Sequence, residues 1–195
     1  AAKGSPAHQP RSNEARKQLS KQATPVYQLG SEEHAQSVRD AIPQLLPGQV
    51  DDVVKAEQAF AKPDGHGMLV TNGTGTGKTF SGLGVARRFA DQGQLDILVV
   101  VPDDKIAGDW IDSGKKVGLP LQQLANTKTA GTGPTVATYA NLAESYTLAS
   151  RKWALVIPDE AHTLMSSQDA TDTKALERLR AITFHPRGVW GRLEM

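Results

Sequence analysis

Apolar residues along the chain fall into two spacings, and the two alternate. Asp96-Ile-Leu-Val-Val-Val-Pro102 is an unbroken aliphatic run closed by proline, the pattern of a strand buried on both faces in a parallel sheet. Met68-Leu-Val70, Thr135-Val-Ala-Thr-Tyr139 and Trp153-Ala-Leu-Val-Ile-Pro158 read as further strands, and Leu119, Leu121 and Leu124 as a short one. The stretches between them carry helical spacing. Ser31, two acids after it and Pro43 predict a helix over 31–42. Val50, Val53, Val54 and Phe60 predict a second over 50–60 with Gln49 at its start. Leu83, Val85, Ala86 and Phe89 predict a third over 80–89, ending in Arg87 and Arg88 as a helix C-terminus favours. Gly82 and Gly84 would weaken that helix if exposed, so they are expected to pack closely against a sheet. Ile106, Trp110 and Ile111 place a fourth helix, capped by Asp103 or Asp104 and stopping near Gly114. A fifth runs over 140–148 and a sixth over 173–182; Asp169-Ala170-Thr171 reads as a loop, and beyond Pro186 no element is predicted. Strand and helix in alternation predict an α/β domain, a mostly parallel sheet flanked by helices. Right-handed crossovers then bring the ends of the first and last strands to one carboxyl edge.

Both of those strand ends carry candidate chemistry. The first empties into Thr71-Asn-Gly-Thr-Gly-Thr-Gly-Lys-Thr79. Its alternating glycines let successive N–H groups turn into one concavity suited to phosphate oxygens, and the following helix adds its free N–H groups and positive dipole end. Lys78 supplies a point charge for the outer phosphates and Thr79 a hydroxyl for magnesium. Asn72 stands where the strict pattern has glycine, and asparagine tolerates a left-handed backbone. The plainer reading is a flexible glycine-threonine loop. The last strand delivers Asp159-Glu160-Ala161-His162; such carboxylates are ordinarily a solvated turn, but downstream of a phosphate loop they complete a magnesium-nucleotide site.

Composition narrows the class. At 38% hydrophobic and 22% charged, 195 residues are enough for one sizeable core. The absence of cysteine removes disulfides and thiolate metal sites and suits a reducing compartment. No apolar run is long enough to cross a bilayer, so no membrane partner and a cytoplasmic location are expected. Net charge is +1, but Lys3, Arg11, Arg16, Lys17 and Lys21 face only Glu14 in the first thirty residues. That stretch is predicted to be a disordered basic tail over 1–30, with a nucleic-acid-touching arm as the alternative, ahead of a domain over 31–195.

Gly75-Thr-Gly-Lys-Thr79 together with Asp159-Glu-Ala-His162 resembles the first RecA-like domain of superfamily 2 helicases and translocases in its DEAH-box form, with proteins of bacteria and phages nearest in pattern. Leu45-Leu-Pro-Gly-Gln49 is similar to the segment whose glutamine reads adenine. Val99-Val-Val-Pro102 with its helix is similar to the motif touching the nucleic-acid backbone, and Val136-Ala-Thr-Tyr139 with Asn141 to the Thr-Tyr segment before the DEAH strand. The resemblance implies a P-loop NTPase fold and ATP held by Gly73, Thr74, Gly75, Thr76, Gly77, Lys78 and Thr79, with Gln49 on the base. Thr79 and Asp159 would hold Mg2+, Lys78 and Glu160 would be catalytic, and His162 would couple nucleotide state to a neighbouring domain. It further implies a nucleic-acid partner, DNA ahead of RNA, and a second RecA-like domain or partner subunit supplying arginines, without which hydrolysis is weak or absent. Three features depart from the pattern: Pro158 ends the strand or puts it at an edge, no Ser/Thr-Ala-Thr motif follows, and no second domain is present in these residues. Two other readings stay open. One is a non-catalytic nucleotide-dependent interaction module, the other a P-loop ATPase of packaging or ring-forming lineage.

Overall fold

The computed structural model describes residues 27–63, 67–71, 77–124, 132–183 and 191–195. Helix α1 (Glu32–Ala41) begins where the Ser31 side chain accepts the His34 N–H. Helix α2 (Pro47–Phe60) starts earlier than its apolar spacing implies, because Pro47 suits a first helical turn. Strand β1 (Gly67–Leu69) leads through the 72–76 segment, outside the described residues, to α3 (Lys78–Asp91). Then come β2 (Ile97–Val101) and α4 (Asp104–Lys116), which runs past Gly114 and is capped by Asp103. The expected short strand is only β3 (Gln122–Gln123).

Strand β4 (Thr135–Thr138) stops one residue short of the expected end, since Thr138 and Asn141 cap α5 (Tyr139–Glu144) reciprocally. The helix expected over 140–148 is two helices: Ser145 ends α5 and its side chain caps α6 (Tyr146–Ser150). Strand β5 (Leu155–Pro158) is followed by the short α7 (His162–Ser166) and by α8 (Ala170–Thr183). The segment read as a loop at Asp169 starts α8 instead, with Asp169 Oδ1 accepting the Thr171 and Asp172 amides. Last comes β6 (Gly191–Glu194), where no element was expected. Among the described residues no helix is long and apolar enough to cross a membrane.

All strand pairs are parallel, in the order β1-β6-β5-β2-β4-β3. The last strand therefore lies inside the sheet, between the two strands that carry the candidate motifs. Pro158 also lies in the interior, not at an edge. As the last residue of β5 it breaks little: its carbonyl accepts the Met195 N–H at 3.1 Å, and Asp159 N–H continues the ladder to Val100 O at 2.8 Å.

Alternation along β2 divides the core into two layers. Ile97, Val99 and Val101 face a cluster with Val53, Leu83, Ala107 and Trp110 from α2, α3 and α4. Leu98 and Val100 face the other, with Leu142, Leu148 and Leu179 from α5, α6 and α8. The glycines of α3 are explained by helices, not by the sheet. A Cβ on Gly84 would lie 2.7 Å from Val53 Cγ2 on α2, and one on Gly82 2.7 Å from Trp110 Cη2 on α4. The Tyr27 ring stacks on His34 at 4.9 Å between centroids.

Candidate functional site

Gly73, Thr74, Gly75 and Thr76 lie outside the described residues; Gly77, Lys78 and Thr79 form the start of α3 and are half-buried. Gly77 is the N-cap, with φ 75, a left-handed conformation that glycine adopts without a Cβ clash. Gln49 packs directly against it. The Gln49 amide donates through Nε2 to Gly77 O at 3.3 Å and accepts the Leu46 N–H through Oε1 at 2.8 Å. Both ends of the residue implied as an adenine reader thus tie the start of α2 to the end of the phosphate-loop segment. One turn into α3, Ser81 donates to the buried Asp52 of α2 at 2.7 Å.

At the same edge of the sheet, Asp159 leaves β5. Its carbonyl accepts the Tyr139 hydroxyl at 2.6 Å and its Oδ2 accepts the Trp110 indole N–H at 2.9 Å. Burial pushes the Asp159 pKa up. The indole hydrogen bond opposes that shift, the neighbouring Glu160 charge adds to it, and the Lys78 charge and the Glu160 N–H oppose it.

Glu160 holds the one positive φ of a non-glycine residue among the described residues, 53. Such a conformation is uncommon away from glycine and is kept only where its surroundings hold it. Here the Glu160 N–H donates to Met195 O at 3.1 Å, and its carbonyl accepts both the Thr163 N–H and hydroxyl. The turn re-aims the Glu160 side chain out of the β5 line. Its Oε2 lies 3.3 Å from Nδ1 of His162, which is mostly exposed at the start of α7.

Thr79 and Asp159 offer hard oxygen donors, and among the described residues no cluster of three or more His, Cys, Asp or Glu could cage a metal. That donor set fits magnesium, which binds through one or two carboxylates while keeping phosphate oxygens and waters. A half-buried carboxylate beside a second one is also a place where a divalent cation offsets unfavourable charge. The motif implied to touch a nucleic-acid backbone looks different. Asp103 caps α4 by accepting the Ile106 N–H at 2.9 Å and Asp104 accepts from Gln123 at 2.9 Å, so two carboxylates occupy the helix end that would otherwise attract phosphate.

Trp110 escaped sequence reasoning as a site residue because it fits helix spacing as core, and Tyr139 entered only as part of the Thr-Tyr segment, without a role at Asp159. The available signal was chemical: a buried indole N–H or phenol needs a partner.

A family model described as "Type III restriction enzyme, res subunit" matches residues 42–184. None of the curated proteins compared matches the chain. Among solved structures, the Sulfolobus solfataricus SWI2/SNF2 ATPase core in complex with dsDNA is similar at TM-score 0.65 and 19% identity, over 86% of this chain and 34% of that one. The UvsW helicase from bacteriophage T4 is similar at TM-score 0.56 and 13% identity, over 82% of this chain and 59% of that one. A nuclease-deletion mutant of the Type ISP restriction-modification enzyme LlaGI, in complex with a DNA substrate mimic, is similar at TM-score 0.58 and 16% identity, over 77% of this chain and 15% of that one. The fold expectation is met, and this chain spans only part of each of those structures. With most of its length matched, the chain belongs to the Type III restriction enzyme res-subunit family and is a helicase-like ATPase domain of superfamily 2.

Proposed function

We propose that residues 31–195 form the first RecA-like domain, of DEAH-box type, of a DNA translocase, binding Mg-ATP between the start of α3 and the Asp159-Glu160 turn. The observation that carries this is that the start of α3, with Lys78, and the Asp159-Glu160 turn meet through Trp110, which hydrogen-bonds the Asp159 carboxylate and packs on α3 at Gly82. Amides from Gly73 to Thr79 cradle the phosphates, and Lys78 neutralises the β and γ oxygens. Thr79 and Asp159 hold magnesium, which when bound offsets charge on the phosphate oxygens. Glu160 takes the proton of the attacking water, and His162, in contact with Glu160, transmits nucleotide state outward. A second domain supplies the arginines, whose absence lowers turnover by about 10³ to 10⁵. Structures of similar fold that hold DNA favour DNA as the track.

Calorimetric titration with ATP and magnesium tests the site. Lys78→Ala abolishes binding, whereas Glu160→Gln retains it and loses hydrolysis; unchanged affinity in the Lys78 variant would sink the assignment. The carboxylates of Asp103 and Asp104 favour a second reading, a nucleotide-dependent interaction module whose bound state switches protein contacts. Turnover stimulated by added DNA decides for the translocase.

A further inference from the structure

We propose that Trp110 is the positioning residue of the nucleotide site: its indole fixes the carboxylate of Asp159 and couples that carboxylate to the helix that starts at Lys78. The inference rests on the Mg-ATP reading given above. Asp159 is held by its backbone on two sides, its N–H on Val100 O and its carbonyl under the Tyr139 hydroxyl. What stays free in such a residue is the side-chain torsion, and the Trp110 N–H on Oδ2 removes that freedom.

The indole is fully buried, so it cannot swing away without opening the layer between α3, α4 and the sheet. Its far edge meets α3 at Gly82, where a Cβ would come within 2.7 Å of Cη2 and 3.3 Å of Met195 Cε. Gly82 sits one helical turn after Lys78, on the same face. One rigid ring thus spans from the helix carrying the phosphate-binding lysine to the metal-binding carboxylate, and α3 needs glycine there to let it pass. An indole N–H only donates; it can neither ligate a cation nor accept a proton. Its role is therefore orientation: it fixes the direction in which the Asp159 carboxylate would present its oxygens to a magnesium shell. The same hydrogen bond supports the charged carboxylate against its burial.

A bland structural role, a tryptophan whose N–H merely found an acceptor, predicts something different. Trp110→Phe keeps a packed ring and removes the donor. Removing an outer-shell partner of a metal ligand typically lowers metal affinity about 10- to 100-fold. The test is nucleotide binding by the 195-residue chain, titrated with magnesium at fixed ADP and repeated with ADP in chelator. W110F is expected to need at least about tenfold more magnesium for half-maximal tightening, with metal-free ADP affinity unchanged within about twofold. Equal magnesium requirement, or an equal loss in chelator, overturns the proposal while leaving the Mg-ATP site standing. A wild-type chain without magnesium-dependent binding overturns the site reading, and this inference with it.

Should W110F fail to fold, the wild-type chain still decides. The Trp110 indole N–H resonance, followed by NMR, is expected to shift on adding magnesium to the ADP-bound chain. Trp153, whose N–H is tied to Leu148 O at 2.9 Å, is the internal reference. A Trp110 resonance that moves no more than that of Trp153 refutes the coupling.

Discussion

Replacing Glu57 by alanine should be among the most damaging single changes in the chain, although its hydrogen bonds go to Arg88 and His34, outside the candidate site. Its carboxylate grips Arg88 of α3 with two hydrogen bonds, Nε to Oε1 at 2.6 Å and Nη2 to Oε2 at 3.1 Å. It also takes the Nε2–H of His34 at 2.5 Å. His34 Nδ1 accepts the Gly30 N–H at 3.0 Å, which leaves the ring proton on Nε2 facing Glu57. Burial opposes the charge on Arg88, but the hydrogen bond and charge of Glu57 more than offset it, and the Arg88 pKa is raised. Both partners of the ion pair are 13% exposed and His34 is fully buried.

In Glu57→Ala the guanidinium keeps, among the described residues, the Tyr27 and Ser37 hydroxyls, and the imidazole N–H loses the Glu57 carboxylate. Breaking a buried pair in this way costs about 3 to 5 kcal/mol; residual solvent access favours the lower end. At roughly 2 to 4 °C per kcal/mol for a domain of this size, the melting temperature should fall by about 6 to 12 °C. Urea unfolding at unchanged m gives the free energy directly. The exposed Arg39–Glu32 pair is the control, since Arg39→Ala should cost no more than about 1 kcal/mol. A Glu57→Ala loss below about 1 kcal/mol, no different from that control, would refute the claim that this network holds α3 to α1 and α2.

Two further outcomes concern the site helix and its neighbours. Burial raises the Asp159 pKa, so folding favours the protonated form: that stabilisation is complete below the unfolded carboxylate range and is lost as pH rises through the folded value. Near neutral pH the ionised side chain therefore destabilises the metal-free chain. Asp159→Asn should raise the melting temperature in chelator at pH 7, with the gain vanishing toward acid pH, while removing magnesium-dependent nucleotide binding; a lowered melting temperature contradicts this. Glycine to alanine should have opposite signs at two helical positions. Gly84→Ala drives a methyl to 2.7 Å from Val53 Cγ2 and 3.0 Å from Leu45 Cδ1, an overpacking cost of about 1 to 3 kcal/mol that outweighs the gain in helix propensity. Gly108→Ala, with nothing within 4 Å of its Cβ, should stabilise by up to about 1 kcal/mol. Urea midpoints that move in the same direction for both would refute the packing account of Gly84.

The chain's local pattern was sufficient for the architecture. An aliphatic run such as Ile97 to Val101 has no polar face to expose, so it implies a sheet covered on both sides. The placement of the start of α3 and of Asp159 at one carboxyl edge then follows from crossover handedness. The caps at Ser31 and Asp103 were legible for the same reason: each satisfies amides within a few residues of itself. Tertiary structure alone decided the rest. Gly191–Glu194 has no strand pattern of its own, and it becomes a strand because β1 and β5 offer it backbone partners on both sides. Trp110 and Asp159 are 49 residues apart, Arg88 and Glu57 31, and Gln49 and Gly77 28. Hydrophobic period records which face of an element is buried, but not what it is buried against. Those partners are set only when the helices close over the sheet, and there the carboxylate of Asp159 meets its indole.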